Sequence, residues 1–281
     1  MLLAGFDAGQ TSTRCRVSRW QEDGWQIIGE GSGPGVSHLE ASGGAERFRQ
    51  AVLTSLKSAF EGEGERRLDA AVIGASGIEQ GSALQPKATA LLADALSLPE
   101  DRVLATGDER TALRGAFPDG DGIILISGTG MICLGRDHQG KEHRCGGWGW
   151  MLDGAGSAFD LGQQGLQLTL QMADGRRPDH PLRQRMWEQL GCRGHADVKA
   201  WVVQPSRTAA DLAALAPLLV AAADAGLPAA QDILQRSAAA LVSCAANVAR
   251  ELALPQPAVA GLGGVLQHPG SVQRAVEVGI V

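Results

Sequence analysis

Two short glycine turns follow apolar runs and carry the residue types that grip phosphate. DAGQTST, Asp7 to Thr13, comes after Leu2 to Phe6, and SGTG, Ser127 to Gly130, comes after Ile123 to Ile126. Turn N–H groups and hydroxyls donate to phosphate oxygens, and an acid at the end of a buried strand holds Mg²⁺ directly or through water. Asp7 is such an acid; the second turn has none. The competing reading is a hairpin turn in which Asp7 caps its own backbone. Facing each other across a cleft, the two turns would grip one polyphosphate from opposite sides, with the carboxylate localising the metal. A third turn, AGLGGV from Ala260 to Val265, has paired glycines that let the backbone lie flat against an aromatic ring such as adenine. The same pair equally suits a tight strand-to-helix turn.

Asp108, in ATGDERTALRGAF, stands between a strand and a helical stretch. An Asp there serves as a helix N-cap, or it is a ligand-facing carboxylate able to accept the proton of an attacking hydroxyl. Glu109 is its rival for that role. The run CGGWGWMLDGAGS, Cys145 to Ser157, sets two tryptophans among glycines. It reads as a tight loop with flat apolar walls that stack on sugar rings, or as a core plug.

The elements that position these groups alternate between strand and helix. A hairpin runs from Leu2 to Trp20, and Gly29 to Gly44, with six glycines and Pro34, reads as a long functional loop. Helix follows over 45–60, with Phe48, Val52, Leu53 and Leu56 at helical spacing. Next come a strand at Ala70 to Ile73, a helix from Pro86 to Leu98 started by its proline, and a strand at Arg102 to Ala105. A second hairpin, Gly122 to Gly135, repeats the design of the first. From Gly156 the chain is mainly helical, the longest candidates being Ala209 to Ala225 and Ala229 to Leu252. Ala258 to Ala260 is a strand, and a last helix lies near Ser271 to Val278. AFPDGDG interrupts the pattern between Thr111 and Asp121, which divides the chain into domains 1–112 and 113–281.

Composition sets the bounds. The 281 residues are enough for two cores, and 44% hydrophobic with 20% charged is ordinary globular usage. No apolar run approaches the roughly 20 residues of a membrane span. The opening MLLAGFDAGQ lacks a basic segment of a secretory signal, so a soluble, cytoplasmic protein without a membrane partner is expected. The net charge of −6 carries no basic block for nucleic acid. Five scattered cysteines without a C-x-x-C pair support neither a disulfide framework nor a zinc ribbon.

In their order along the chain, DAGQTST, GASG, GDERTALRGAF, IILISGTGMICLGRD, GGWGWMLDGAGS and AGLGGV resemble the N-acetylglucosamine kinase and BadF/BadG/BcrA/BcrD ATPase family of the actin-like, ribonuclease H-like ATPases. The resemblance implies an α/β chain of two ribonuclease H-like (actin-like ATPase) domains around an interdomain cleft. Mg·ATP would be clasped between the hairpins, beside an amino sugar or related hexose, N-acetylglucosamine or glucosamine first. By that resemblance Asp7 is the metal-associated acid, and Gly9, Thr11 and Thr13 face the phosphates. Gly128, Thr129 and Gly130 form the second phosphate loop, and Gly263 and Gly264 flank the adenosine. Asp108 matches the base that takes the proton of a sugar hydroxyl, C6-OH in the family pattern, and Gly147, Trp148 and Gly149 match the substrate loop.

This chain departs from the family in three places. The family's G-D-E-G-S becomes Asp153-Gly154-Ala155-Gly156-Ser157, so its substrate-binding Asp is replaced by Gly154 and the following Glu by Ala155, and Asp153, one place upstream, is the candidate to substitute. In the early loop Ser37 and His38 are the nearest polar residues to the position of the family's sugar-binding Asn. A glycine- and alanine-rich closing helix is not expected after AGLGGV. A homodimer, an activator-type ATPase with a cysteine-held iron–sulfur cluster near Cys145, and a catalytically weakened sugar or nucleotide sensor are the other readings the resemblance allows.

Overall fold

The computed structural model describes residues 1–61, 67–267 and 270–280. They form two compact units, Met1–Gly115 and Ala116–Val281. The division falls three residues beyond the expected one at 112 and 113, inside a helix.

In the first unit β1 (Leu2–Ala8), β2 (Ser12–Gln21) and β3 (Gly24–Pro34) form an antiparallel meander. β4 (Ala70–Ala75) and β5 (Val103–Thr106) run parallel to β1, giving the order β3-β2-β1-β4-β5. Three helices accompany the sheet: α1 (Gly44–Ala59), α2 (Leu84–Leu96) and α3 (Asp108–Ala116). Alternation in β1 and β2 sends Ala4, Phe6, Ala8, Cys15 and Val17 into one core with Phe48, Val52, Ile73 and Leu92. Of the residues at helical spacing in α1, Leu53 faces solvent. α2 starts two residues before Pro86, within the first turn, where a missing N–H costs nothing.

The stretch from Gly29 to Pro34 is not a loop; it is the second half of β3. Its glycines fall at 29, 31 and 33, every second residue, on the face that meets α1. A Cβ at Gly31 would collide with backbone atoms of Ser55, Ser58 and Ala59, and one at Gly33 would reach the Ser55 nitrogen at 2.9 Å. The glycines let a helix backbone rest directly on a strand, and turn chemistry does not explain them.

The second unit begins with β6 (Gly122–Ser127), β7 (Met131–Arg136) and β8 (Glu142–Cys145) in a second antiparallel meander. β9 (Val259–Leu262) lies parallel to β6, so the order is β8-β7-β6-β9. Ile123, Ile124 and Leu125 are fully buried, as expected for a strand covered on both faces. The helices are α4 (Ala158–Ala173), α5 (Pro181–Gln189), α6 (His195–Val202), α7 (Ala209–Ala213), α8 (Ala216–Asp224), α9 (Pro228–Glu251), α10 (Gly264–Gln267) and α11 (Ser271–Ile280). The expected helix over Ala209 to Ala225 is interrupted at Ala214 and Leu215; Pro217, near the start of α8, leaves no N–H for a continuous ladder. Among the described residues no single helix is long and apolar enough to cross a membrane.

The glycine stripe yields a paired test. Gly31→Ala is expected to cost roughly 1–3 kcal/mol by pushing α1 off the sheet, read as a lowered urea midpoint. Gly5→Ala, where a Cβ meets nothing within 4 Å, leaves the midpoint near its original value.

Candidate functional site

In the first unit the chain leaves β1, β4 and β5 at their carboxyl ends, the edge where parallel sheets present ligand-facing groups. Asp7 pairs in register with Gly74. A Cβ at Gly74 would strike the Thr111 side chain, so this glycine is what lets α3 settle on the sheet beside Asp7. Asp108 opens α3, and its Oδ1 accepts the Glu109 N–H at 3.1 Å while its carbonyl accepts the Thr111 hydroxyl at 2.8 Å. Asp7, Arg14, Val72, Asp108 and Thr111 line a cavity of about 850 Å³.

Charge distinguishes Asp108 from its neighbour. Burial, then the Glu109 charge and a side-chain hydrogen bond to it, then the Asp7 charge, push the Asp108 carboxyl up to about 7. Glu109 is more deeply buried, pairs with Arg110 at 2.9 Å and is not among the residues lining the cavity. Asp108 thus lines the cavity with a half-buried carboxylate, whereas Glu109 is buried and paired with Arg110.

The phosphate-type groups of the first turn are fewer than the sequence suggests. Gly9 donates its N–H to the Ser12 carbonyl at 3.0 Å, which closes the turn and takes that donor away. Thr11 is exposed, but Thr13 lies in β2 with its side chain among the buried residues that include Cys15 and Val17. The Thr13 hydroxyl is enclosed without a partner, so its expected outward role is corrected by strand alternation. Among the described residues no backbone carbonyl takes the Gln10 and Thr11 N–H groups. The 35–38 segment packs across this turn: Val36 donates to the Gly9 carbonyl at 3.0 Å, and a Cβ on Gly35 would run into Gln10 and Thr11. Ser37 holds a buried hydroxyl without a partner, and His38 is exposed, its ring 3.5 Å from where Gly77 would carry a Cβ. Asp7, Thr11, Ser37, His38 and Asp108 thus gather at one end of one sheet.

The second unit repeats the arrangement at the ends of β6 and β9. Gly128 donates to the Gly130 carbonyl at 2.9 Å, so this N–H too is consumed within its turn, a correction to its expected role. The Gly128 and Thr129 carbonyls accept the Ala158 and Phe159 N–H groups at 2.8 and 3.3 Å, and Ser127 Oγ donates to the Gly156 carbonyl at 2.7 Å. The start of α4 thereby holds the turn, and the Thr129 and Gly130 N–H groups have no backbone acceptor among the described residues. Gly263, at φ +85, sits where a Cβ would collide with the Ser127 and Gly128 backbone. A Cβ at Gly264 would meet nothing within 4 Å.

The tryptophan loop follows β8. Gly146, Gly147 and Gly149 have φ of +77, +76 and +92, a left-handed backbone that other residues adopt only with strain. Trp148 is 64% exposed, so it is not a core plug, whereas Trp150 packs on Phe159 at 4.9 Å between ring centroids. Asp153 closes the loop by donating its N–H to the Gly149 carbonyl at 2.9 Å, and its carboxylate is turned toward Gly146. Reading spacing alone missed two features here. Cys145 has companions, Cys133 directly opposite on β7 and Cys244 on α9, and burial followed by a hydrogen bond to Cys145 pushes the Cys244 thiol up to about 12. Arg144 binds the loop, a contact that no motif spacing encodes.

The sequence profile of the BadF/BadG/BcrA/BcrD ATPase family matches residues 4–278. An N-acetylmuramic acid/N-acetylglucosamine kinase of Clostridium acetobutylicum is 28% identical over 169 residues, 59% of this chain and 55% of that protein. An N-acetyl-D-glucosamine kinase of Dictyostelium discoideum is 32% identical over 134 residues, 47% of this chain and 42% of that protein. The chain spans about half the length of the curated relatives it matches. Among solved structures, a protein of Chromobacterium violaceum provisionally described as an N-acetylglucosamine kinase superposes with a TM-score of 0.77 at 28% identity, covering 100% of this chain and 99% of that one. A ROK family glucokinase of Streptomyces griseus, solved with glucose and AMPPNP, gives 0.58 at 17% identity over 99% and 88% of the two chains, a likeness of fold alone.

The raised Asp108 carboxyl has a stability consequence. Its value in the native state lies above its ordinary 3.8, so the unfolded chain releases this proton first and the native state loses stability as pH rises from about 4 to about 7. Asp108→Asn removes the charge. It is expected to raise the Tm by roughly 2–5 °C at pH 8 and to change it little at pH 4, measured by differential scanning calorimetry.

Proposed function

Because the chain belongs to the BadF/BadG/BcrA/BcrD ATPase family, we propose that it is an ATP-dependent kinase that phosphorylates a hydroxyl of an amino sugar, N-acetylglucosamine or glucosamine. The observation that carries this reading is the Asp108 carboxyl, raised to about 7 and lining a cavity beside Asp7. A base with a value near the working pH is the one best suited to accept a hydroxyl proton.

Asp7 and Asp108 repel each other, and among the described residues neither has a cationic side chain within ion-pair distance. That donor set fits a divalent cation, with Asp7 as the residue that would hold Mg²⁺. When bound, Mg²⁺ supplies positive charge to the phosphate oxygens. In the first unit the Thr11 N–H would be offered to phosphate oxygens; in the second unit the Thr129 and Gly130 N–H groups would be offered likewise, and Gly263 and Gly264 present a surface without side chains. In the first unit Ser37, with its unsatisfied hydroxyl, is favoured over the exposed His38 as a polar partner for a sugar; in the second unit Trp148 presents a flat apolar face and Asp153 a carboxylate. Asp108 takes the proton as the sugar oxygen bonds to the γ-phosphorus and the bond to the β-phosphate bridging oxygen breaks, releasing ADP. Asp108 then returns the proton to solvent.

A coupled ADP-release assay with N-acetylglucosamine, glucosamine, glucose and no sugar tests the reading. ADP production is expected to depend on the amino sugar. Asp108→Asn is expected to lower kcat/KM by about 10²- to 10⁴-fold with ATP affinity retained by calorimetry. Hydrolysis indifferent to sugar would instead favour an activator-type ATPase, and sugar binding without transfer would favour a sensor.

A further inference from the structure

We propose that Arg144 is the positioning residue of the tryptophan loop: it clamps Gly146 and Gly147 so that Trp148 is held ready for the sugar. The part of this inference that concerns the sugar rests on the kinase reading above; the clamp itself does not.

Arg144 lies on β8, one residue before Cys145, and its side chain turns toward the loop that follows. Nε donates to the Gly146 carbonyl at 3.1 Å, and a terminal guanidinium nitrogen donates to the Gly147 carbonyl at 2.5 Å. The guanidinium carbon also lies 4.9 Å from the centroid of the Trp148 ring. One planar group therefore engages three consecutive residues, through two charge-assisted hydrogen bonds and a cation–π contact.

The loop needs such a clamp. Three of its four residues from 146 to 149 are glycines at positive φ, and glycine loses more freedom on ordering than any other residue. Neither Trp148 nor the Met151 and Leu152 that follow is anchored by burial; they are 64%, 78% and 84% exposed. The far side of the loop is fixed by the Leu152 and Asp153 N–H groups on the Gly149 carbonyl. On the near side Arg144 does the same for the Gly146 and Gly147 carbonyls, which accept no backbone N–H among the described residues. A lysine in its place has one compact ammonium and cannot reproduce the fork that reaches two carbonyls and the ring together.

The experiment uses the full chain as wild type, Arg144→Ala, Arg144→Lys and the Trp148→Phe reference. Acrylamide quenching of the Trp148 component, obtained by subtracting the Trp148→Phe signal, reads the clamp without any catalysis. Quenching is expected to increase in Arg144→Ala and to be intermediate in Arg144→Lys at unchanged Tm; identical quenching in all three would overturn the clamp. In the ADP assay the sugar KM is expected to rise roughly tenfold in Arg144→Ala, the effect of losing about one charge-assisted pair, with ATP KM within about twofold. A sugar KM unchanged in the face of increased quenching would overturn the link to the sugar. Wild type that makes no sugar-dependent ADP overturns the kinase reading and, with it, that link, while the quenching result still decides the clamp.

Discussion

Like charges at close quarters are the constraint around which the first unit is built. Asp7 lies on the exposed face of β1 near its end, Asp108 begins α3, and α3 rests on the neighbouring β4 because Gly74 has no side chain to hold Thr111 away. Packing alone would place no second acid there. Burial first, then Glu109 and the Asp7 charge, lifts the Asp108 carboxyl far from its ordinary range, a local conflict of the kind that folds keep where chemistry is done. Glu109 adds to the same field and is itself paired with Arg110.

Both units solve the positioning problem alike. Each opens with an antiparallel meander, then adds parallel strand beside its first strand, and each closes its glycine turn with the N–H of that turn's first glycine. The remaining turn N–H groups are those left for a ligand. Only the first unit carries the acid, and only the second has its turn held by a helix start, through the Ala158 and Phe159 N–H groups. The scaffold is repeated, but the chemistry at its turns is not.

Much of this was readable from residue patterns, and the misreadings share a cause. The two hairpins, the strand after the Ala70 start and the Asp108 strand-to-helix junction follow from apolar runs bounded by turn residues, because periodicity reports which side of an element is dry. Glycine is ambiguous in that language. The glycines at 29, 31 and 33 look like those of a loop, yet they make room for α1; those at 146, 147 and 149 are indeed backbone devices. Thr13 read as a turn hydroxyl although strand alternation turns it inward. The donors spent at Gly9 and Gly128, the company kept by Cys145 and the reach of Arg144 are properties of folded geometry that linear spacing does not contain.

The central claim is that Asp108 is a base whose proton affinity is set by burial and by Glu109 and Asp7. Its most direct test is the pH dependence of kcat/KM for the sugar at saturating Mg·ATP. The account predicts a rate that climbs with pH and levels off through an inflection near 7. A profile that is flat from pH 5 to pH 9 would contradict it.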